Sequence, residues 1–407
     1  METLINEVAK RSVRYLAGLD TRDVAPTPEA VARLGLLDVP LQDGPIKPLQ
    51  ILKELDEIGS PATVATAGGR YFGFVTGGSL PAALGANLLA SAWDQNAVLK
   101  VASPVACTLE EICRKWLVSL LGLPAGAGIG FVTGATMANF TGLAAARHAL
   151  LEREGWDVEA KGLFGAPPIT VIVGDEVHVS LLKALSMLGL GRERVLRIPV
   201  DGQGRMRPAA LPKLSGPTIV CLQAGNVNTG AFDPADVIIP LAHLSGAWVH
   251  VDGAFGLWAA TCPSRSALTD GIQNADSWAT DAHKWLNVPY DSGLVFVHNP
   301  QHLRAAMSAS AAYLIEEGDR EPNHYVPEMS RRARGIEIWA ALRSLGRAGL
   351  ADLIERTCLY AARFAEGLRR AGYQVLNEVV LNQVLVSFGD AERTRQVIRR
   401  VQEDGTC

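Results

Sequence analysis

Five short β-rich runs alternate with helix-like stretches from Ile169 onward, and this alternation limits the possible folds more than any other feature of the chain. The runs are ITVIVGD, VLRIPV, TIVCLQAG, AWVHVDG and GLVFV. Strands separated by helical segments pair mostly in parallel, with helices on both faces of the sheet. We therefore predict an α/β fold with a mostly parallel sheet, and we expect functional groups at the carboxyl ends of its strands.

The sequences before and after this alternation differ from it in composition and in predicted secondary structure, which indicates two further structural regions. The first is charged, helix-prone and rich in prolines between Pro26 and Pro48. The last begins with a helical pattern from Leu350 to Ala371, followed by a strand pair and a charged helix, and it ends early for a lobe of this kind. We place a helical arm at residues 1–66, a large domain at 67–343 and a small, apparently truncated α+β lobe at 344–407.

The charge and hydropathy of the chain exclude several kinds of partner. The 407 residues carry a formal net charge of -4 and are 48% hydrophobic, so we expect no nucleic-acid or anionic-membrane partner. The most apolar stretch, Ser79 to Trp93, is too short to span a bilayer as a helix. The first twenty residues mix charges among apolar residues and lack the core of a signal peptide. We expect a cytoplasmic protein.

The cysteines and histidines show no spacing typical of a metal site. The six cysteines include no C-x-x-C pair, which favours reduced thiols in a cytoplasm. The closest histidine pair, His298 and His302, is interrupted by Asn299-Pro300, which would disrupt a metal-binding helical face. We therefore predict no metal site.

The strongest chemical pattern lies between Trp248 and Trp285. The predicted strand WVHV leads to Asp252, and about thirty residues later DSWATDAHKW contains His283 and Lys284. Pyridoxal-phosphate chemistry requires an amine that forms an imine with the cofactor and a carboxylate that keeps the pyridine nitrogen protonated. Either residue alone would be interpreted as a turn residue or a solvated lysine, but the tryptophan-flanked, apolar surroundings of Lys284 favour the functional interpretation.

Two other segments are compatible with the same chemistry. In GFVTGATMANFTGL, the residues Gly134, Ala135 and Thr136 would start a helix whose N-terminus can bind a phosphate, although a simply capped helix explains this segment equally well. His178, after the strand ITVIVGD, could stack on a flat cofactor ring, whereas a hydrogen-bonded structural histidine is the commoner case. The glycines of AGAGIGF precede a strand and do not complete G-x-G-x-x-G, so a dinucleotide site is weakly supported.

In their order along the chain, these features resemble the group II pyridoxal-dependent amino-acid decarboxylases. The segments that carry the resemblance, between about Gly69 and Arg347, are ASPVACTLEE, TGATMANFTGL, DEVHVSL, QAGNVNTGAFD, HVDGAFG and DAHKWL. The resemblance implies a pyridoxal-phosphate-dependent fold of type I. It also implies a Schiff-base lysine at Lys284, a pyridinium partner at Asp252, a ring-stacking His178, phosphate contacts from Ala135 and Thr136, His283 nearby, and Asn226 where relatives carry a threonine.

The same resemblance implies decarboxylation of an L-amino acid to an amine and carbon dioxide by a homodimer. In this family a mobile loop supplies a tyrosine that donates a proton to Cα, often across a dimer interface, and we expect Tyr325, within EEGDREPNHYVPEMSRRARG, to take that role. An aromatic substrate is slightly favoured over glutamate, since an apolar pocket wall could come from Tyr71, Phe72, Phe74 and Trp93. The segment GGRYFGF lacks the His-Pro pair of many relatives.

Two alternatives remain open at this point. The first is another pyridoxal-phosphate reaction on an amino acid, namely transamination, carbon-carbon lysis or aldehyde-forming oxidative decarboxylation. The second is a catalytically inert scaffold on the same fold, which the early end of the small lobe mildly favours and the complete set of Lys284, Asp252 and His178 disfavours.

Overall fold

A seven-stranded sheet forms the centre of the protein, which is described here from a computed structural model covering residues 1–309 and 320–407. The sheet has the spatial order β1-β7-β6-β5-β4-β2-β3. Its strands are β1 (Gly128–Val132), β2 (Thr170–Gly174), β3 (Leu196–Ile198), β4 (Thr218–Gln223), β5 (Trp248–Asp252), β6 (Ser277–Asp281) and β7 (Gly293–Val297).

Six of the seven strands run in one direction. Strand β7 is antiparallel to both of its neighbours, β1 and β6, and the pairs β6-β5, β5-β4, β4-β2 and β2-β3 are parallel. The predicted α/β fold with a mostly parallel sheet is confirmed. The antiparallel direction of β7 was not predicted, since the apolar run GLVFV does not indicate in which direction a strand pairs.

Twelve α-helices, seven short 3₁₀ helices and a second, two-stranded sheet complete the regular structure of the described residues. The helices are α1 (Glu2–Ala17), α2 (Pro28–Arg33), α3 (Pro48–Gly59), α4 (Pro81–Trp93), α5 (Pro104–Leu120), α6 (Ala135–Arg153), α7 (Val158–Lys161), α8 (Val179–Met187), α9 (Ala235–His243), α10 (Pro300–Met307), α11 (Gly335–Arg370) and α12 (Ala391–Glu403). Strands β8 (Gln374–Val375) and β9 (Val386–Ser387) pair with each other. Helix α11 is broken at Gly346, whose φ of 61° lies in the left-handed region.

Helix α6 packs closely on the sheet, across β5, β6 and β7. Its sequence, ATMANFTGLAAARHALLER, is rich in alanine, and these small side chains let the helix backbone approach the strands. At Gly142 the approach is closest, because a Cβ there would lie 2.9 Å from Cε1 of His250 on β5. The packing fixes the N-terminus of α6 against the ends of the neighbouring strands.

The chain divides into two compact units, residues 1–78 with 387–407 and residues 79–386. The predicted domain boundaries near 66 and 343 differ from this division and stay a prediction. In the first unit, α1 and α2 have no buried residue. Among the described residues, no helix combines the length and the apolar character needed to cross a bilayer. All six cysteines are free thiols, and Cys407 alone among them is not fully buried.

Candidate active site

Apart from Tyr325, the predicted site residues lie at or just after the carboxyl ends of parallel strands, as expected for an α/β sheet. Strand β5 ends at Asp252 and β6 ends at Asp281, three residues before Lys284. Strand β1 leads through Gly134 into α6, and because β7 is antiparallel, its first residue, Gly293, lies at the same edge. The edge thus collects an amine, several carboxylates and a helix N-terminus.

Two glycines allow the chain segments at this edge to meet. A Cβ on Gly293 would lie 2.4 Å from the Cα of Gly134, a distance that no side chain tolerates. A Cβ on Gly134 would lie 3.0 Å from Cε1 of His283. The contact between these glycines brings the start of α6 within hydrogen-bonding distance of β6.

Asp281 is the residue that links the start of α6 to the predicted lysine. Its Oδ1 accepts a hydrogen bond of 2.6 Å from the backbone N–H of Ala135, and its Oδ2 lies 3.1 Å from Nζ of Lys284. The side chain of Asp281 is 2% exposed and that of Lys284 is 19% exposed. This buried carboxylate was missed at the sequence level, although it belongs to the motif DAHKWL.

His283 is held in one tautomer. The backbone N–H of Ser292 donates to its Nδ1 at 3.0 Å, so Nδ1 has no proton and Nε2 carries it. Nε2 lies 3.5 Å from Oδ1 of Asp281, and the ring of Tyr290 lies over the imidazole at 4.3 Å between centroids. Burial lowers the pKa of His283, the charge of Asp281 opposing this effect. A neutral ring is therefore favoured.

Asp252 ends β5 and is 5% exposed. Its Oδ1 accepts from the backbone N–H of Ala254 at 3.2 Å, and its Oδ2 accepts from Nδ2 of Asn139, on α6, at 2.9 Å. A carboxylate fixed in this way at a strand end suits the role of binding a protonated ring nitrogen.

Behind Asp252 lies a buried chain of hydrogen bonds that sequence reasoning did not find. Nε1–H of Trp248 donates to Oγ of Ser277 at 2.9 Å, and that hydroxyl lies 2.8 Å from Nδ1 of His250. Nε2 of His250 lies 2.9 Å from Oδ1 of Asn139, whose amide nitrogen donates to Asp252. Because the amide oxygen can only accept, His250 donates from Nε2 and accepts at Nδ1. Every donor in this chain points toward the Asp252 carboxylate.

The burial of His250 agrees with this arrangement. The residue is 0% exposed, and desolvation lowers the pKa of its imidazole to about 4, against the opposing charge of Asp252. A neutral imidazole carries one proton, which the chain places on Nε2.

The structure gives His178 and Asn226 other hydrogen-bond partners. His178 is exposed and caps α8, with its Nδ1 2.7 Å from Oγ of Ser180. Asn226 is buried; its amide nitrogen donates to Glu176 at 3.0 Å and its oxygen accepts from the N–H of Asn228 at 2.9 Å. Their predicted contacts with the cofactor stay predictions. Thr136 is half-buried in the first turn of α6, beside Ala135.

Tyr325 differs from its prediction. It was expected in a loop, but it ends a buried helical turn at Pro322–Tyr325 and is 8% exposed. The guanidinium of Arg320 covers its ring at 4.0 Å, and Arg320 also donates to the carbonyl of Ile129 in β1. Burial under Arg320 is the physical reason for the difference. Residues 316–319 of the predicted loop lie outside the described residues.

This position separates Tyr325 from the candidate site. Its backbone oxygen lies against Gly130, in the middle of β1, and Arg320, which covers its ring, donates to the carbonyl of Ile129 nearer the beginning of that strand. Tyr325 is therefore directed toward the beginning of β1, whereas Gly134 follows its end. A role as Cα proton donor stays a prediction that this placement disfavours.

The predicted aromatic wall is largely exposed. Phe72 and Phe74 are 74% and 93% exposed, and Trp93 is 45% exposed. Tyr71 is half-buried.

The described residues fit pyridoxal phosphate. They offer a primary amine at Lys284, a buried carboxylate at Asp252 and a helix N-terminus at α6, where the first N–H groups lack partners within the helix. One feature opposes the fit: the Asp281 carboxylate already accepts from Ala135, close to the predicted position of the phosphate.

A family model described as the pyridoxal-dependent decarboxylase conserved domain matches residues 28–389. The chain belongs to this family, as the motifs around Lys284 predicted. The pyridoxal cofactor expected from the sequence is confirmed at the level of the family.

Similar proteins include decarboxylases with different substrates. An aromatic-L-amino-acid decarboxylase from Bacillus atrophaeus is 31% identical over 314 residues, covering 74% of this chain and 63% of that protein. An acidic amino acid decarboxylase from Bos taurus is 29% identical over 366 residues, covering 86% of this chain and 69% of that protein. The chain thus spans less than two thirds of the Bacillus protein.

Solved structures confirm the fold. The chain matches mouse CSAD with a TM-score of 0.89 at 24% identity, covering 100% of this chain and 90% of that one. It matches Oryza sativa TDC, solved with PLP and tryptamine, with a TM-score of 0.87 at 23% identity, covering 99% of this chain and 89% of that one. At these identities the likeness establishes the fold alone.

Proposed function

We propose that this chain binds pyridoxal 5'-phosphate through Lys284 and decarboxylates an L-amino acid to the amine and carbon dioxide. The observation that carries the proposal is the meeting of Lys284, Asp281 and the start of α6 at one sheet edge, with Asp252 ending the neighbouring strand. When bound, the cofactor supplies an aldehyde that condenses with amines and a protonated ring that accepts electrons from a bond broken at the substrate Cα.

The residues of the chain would act on this group in separate ways. Lys284 would hold the aldehyde covalently and release it to the incoming substrate amine. Asp252 would keep a proton on the ring nitrogen, and Asn139 fixes the orientation of that carboxylate. The N–H groups of Ala135 and Thr136 would bind the phosphate, with His283 beside them and His178 over the ring.

The proton that replaces carbon dioxide at Cα needs a donor close to Lys284. Tyr325 was the candidate from the sequence, but its ring is buried under Arg320 at the other end of β1. Of the described residues, the neutral His283, with its proton on Nε2, is a better placed donor than Tyr325. It lies beside Lys284 and Asp281.

An aromatic L-amino acid is the substrate class that we favour. The support is the aromatic-amino-acid decarboxylase from Bacillus atrophaeus among the similar proteins, together with the exposed aromatic side chains of Phe72 and Phe74. Acidic substrates are the alternative, since similar proteins also include acidic amino acid decarboxylases. An aldehyde-forming reaction is a further candidate, because a phenylacetaldehyde synthase from Petunia hybrida is 28% identical over 348 residues.

A cytoplasmic homodimer is the assembly that we propose. On helix α1, the apolar residues Ile5, Val13 and Leu16 are 56%, 65% and 41% exposed to solvent. Phe72 and Phe74 are exposed as well. Apolar side chains clustered on a segment without buried residues are typical of an interface. A monomeric sedimentation profile with full activity would contradict this assembly.

The test is product analysis with the cofactor-loaded protein. We expect an amine and carbon dioxide from L-phenylalanine, L-tyrosine or L-tryptophan, and less product from L-glutamate or cysteine sulfinate. Formation of a keto acid, or of an aldehyde without amine, would contradict simple decarboxylation and would indicate one of the other pyridoxal reactions. No product from any of the twenty amino acids would favour the inert scaffold.

Cofactor attachment is tested separately on Lys284→Ala. We expect the wild-type visible absorption band to disappear on borohydride reduction, which should leave the reduced cofactor covalently attached to the peptide that contains residue 284. The variant should show neither a reducible band nor this modified peptide. A reducible band of full intensity in Lys284→Ala would refute the assignment.

A further inference from the structure

A cluster of two histidines and a glutamate lies on α6 and α10, away from the candidate active site. His148, Glu152 and His302 each offer a ligand atom, and these atoms all lie within 4.8 Å of one another. His148 and Glu152 are one turn apart on α6, and His302 comes from α10, which packs on α6. We propose that these three side chains bind a divalent transition-metal ion, with zinc as the best match.

The orientation of His148 is set by a fourth side chain. Its Nδ1 lies 2.7 Å from Oε2 of Glu159, and since a carboxylate accepts, the Nδ1 proton is donated there. Nε2 is then left with a free lone pair, and Oε2 of Glu152 lies 3.7 Å from it. A carboxylate that fixes the tautomer of a ligating histidine is a regular feature of zinc sites.

His302 completes the cluster from a different helix. Its Nδ1 lies 3.9 Å from the same oxygen of Glu152, and its ring meets the edge of Trp248 at 5.8 Å between centroids. The side chains of His148 and His302 are 14% and 22% exposed. Both imidazoles are therefore held by packing before any ion binds.

The distances leave room for an ion. Ligands of one tetrahedral zinc at bond lengths near 2.1 Å stand about 3.4 Å apart, so the distances of 3.7 and 3.9 Å from Glu152 Oε2 to the two imidazole nitrogens must shorten by a few tenths of an ångström. The Glu152 side chain is 62% exposed and can rotate to do this. The cluster opens on a surface pocket of about 390 Å³, from which water would fill the fourth position.

The ligand set distinguishes between metals. Two imidazoles and one carboxylate suit zinc and its transition-metal neighbours, whereas calcium and magnesium bind mainly oxygen ligands. The cluster lies thirteen residues along α6 from Ala135, about 20 Å at 1.5 Å per residue. The ion would thus join α10 to α6 and stabilise the fold without contacting the candidate active site.

The test uses the full chain with Cys407→Ser, because Cys407 is the one cysteine that is not buried. Titration of the metal-free protein with zinc, followed by calorimetry, should show one equivalent bound with micromolar or tighter affinity. The thermal midpoint should rise with zinc. Glu152→Gln and His302→Gln should each weaken binding at least tenfold, and the matched control His243→Gln, a half-exposed histidine beside Asp276, should bind like the parent.

Two results would overturn the proposal. One is the absence of stoichiometric zinc binding by the parent protein, and the other is unchanged affinity in Glu152→Gln, whose exposed side chain can be replaced without unfolding the protein. The readout is independent of pyridoxal phosphate, so the absorption band of the cofactor, recorded in the same samples, reports separately on the proposed function.

Discussion

The ammonium nitrogen of Lys284 lies 3.1 Å from Oδ2 of Asp281, and the other oxygen of that carboxylate accepts the N–H of Ala135. One buried carboxylate therefore contacts both the lysine predicted to bind the cofactor covalently and the backbone N–H predicted to bind its phosphate. Its negative charge pairs with the Lys284 ammonium group, but it would oppose the charge of a phosphate bound at α6.

Asp281→Asn should strengthen cofactor binding. An amide oxygen can still accept from Ala135, while removal of the charge abolishes repulsion of the phosphate and releases the ammonium group of Lys284. We expect the cofactor dissociation constant, measured by absorbance titration, to fall several-fold. The exposed Asp270→Asn is the control and should leave it unchanged. Weaker binding in Asp281→Asn would show that the carboxylate itself is needed.

Gly293→Ala should disrupt the site through the backbone. The added Cβ would lie 2.4 Å from the Cα of Gly134, so the start of α6 must move away from β7. We expect a loss of about 1–3 kcal/mol in the free energy of unfolding and a marked loss of cofactor binding. Gly126→Ala, where a Cβ meets nothing within 4 Å, should change neither. Chemical denaturation and absorbance titration measure the two effects.

Tyr325→Phe should retain most of the activity. The substitution keeps the ring under Arg320 and removes only the hydroxyl of this buried side chain. We expect kcat within a few-fold of wild type, whereas loss of the Cα proton donor would lower it by about two orders of magnitude or more. Tyr325→Ala should instead destabilise the protein by about 3–5 kcal/mol, as removal of a buried ring does.

His250 should make stability depend on pH. Its pKa in the folded protein is lowered to about 4, while the unfolded value is about 6.5. Between these values the unfolded state binds more protons, so the contribution is complete above about pH 6.5 and is lost as pH falls toward 4. The full contribution of His250 to the free energy of unfolding is of the order of 3 kcal/mol.

Comparison with His250→Gln isolates this effect. The buried Asp233, whose pKa desolvation raises to about 6, contributes with the opposite sign but is present in both proteins. The free energy of unfolding should therefore fall more steeply between pH 6.5 and 4 in wild type than in the variant. Parallel curves would contradict the assignment of a neutral, buried His250. The exposed His298→Gln should follow the wild-type curve.

The sequence predicted the parts of the site that local motifs define. Lys284 and Asp252 could be found because the segments WVHVD and DAHKW place an amine and a carboxylate after successive strands. Asn139 and His250 were not found, although each is a polar residue between two apolar neighbours in the sequence. Such residues need buried partners, but which helix meets which strand is decided by tertiary packing.

The error at Tyr325 has a related cause. The charges around it were interpreted as a sign of a loop, yet some of those in the described residues form buried ion pairs, as in Arg331 with Glu110 at 2.8 Å. Charge density in a sequence indicates exposure only where the charges lack partners within the fold. The cluster of His148 and His302 was missed similarly, because its members are distant in sequence.

The antiparallel direction of β7 limits how far Lys284 can move. Between Asp281, which ends β6, and Gly293, which begins β7, eleven residues leave the sheet edge and return to it, without the helical crossover that a parallel strand would require. Both ends of this short connection are anchored by paired strands. Any exchange of bonds at the lysine must therefore be accomplished by rotations of its four-carbon side chain, and an insertion of even one residue here would alter its reach.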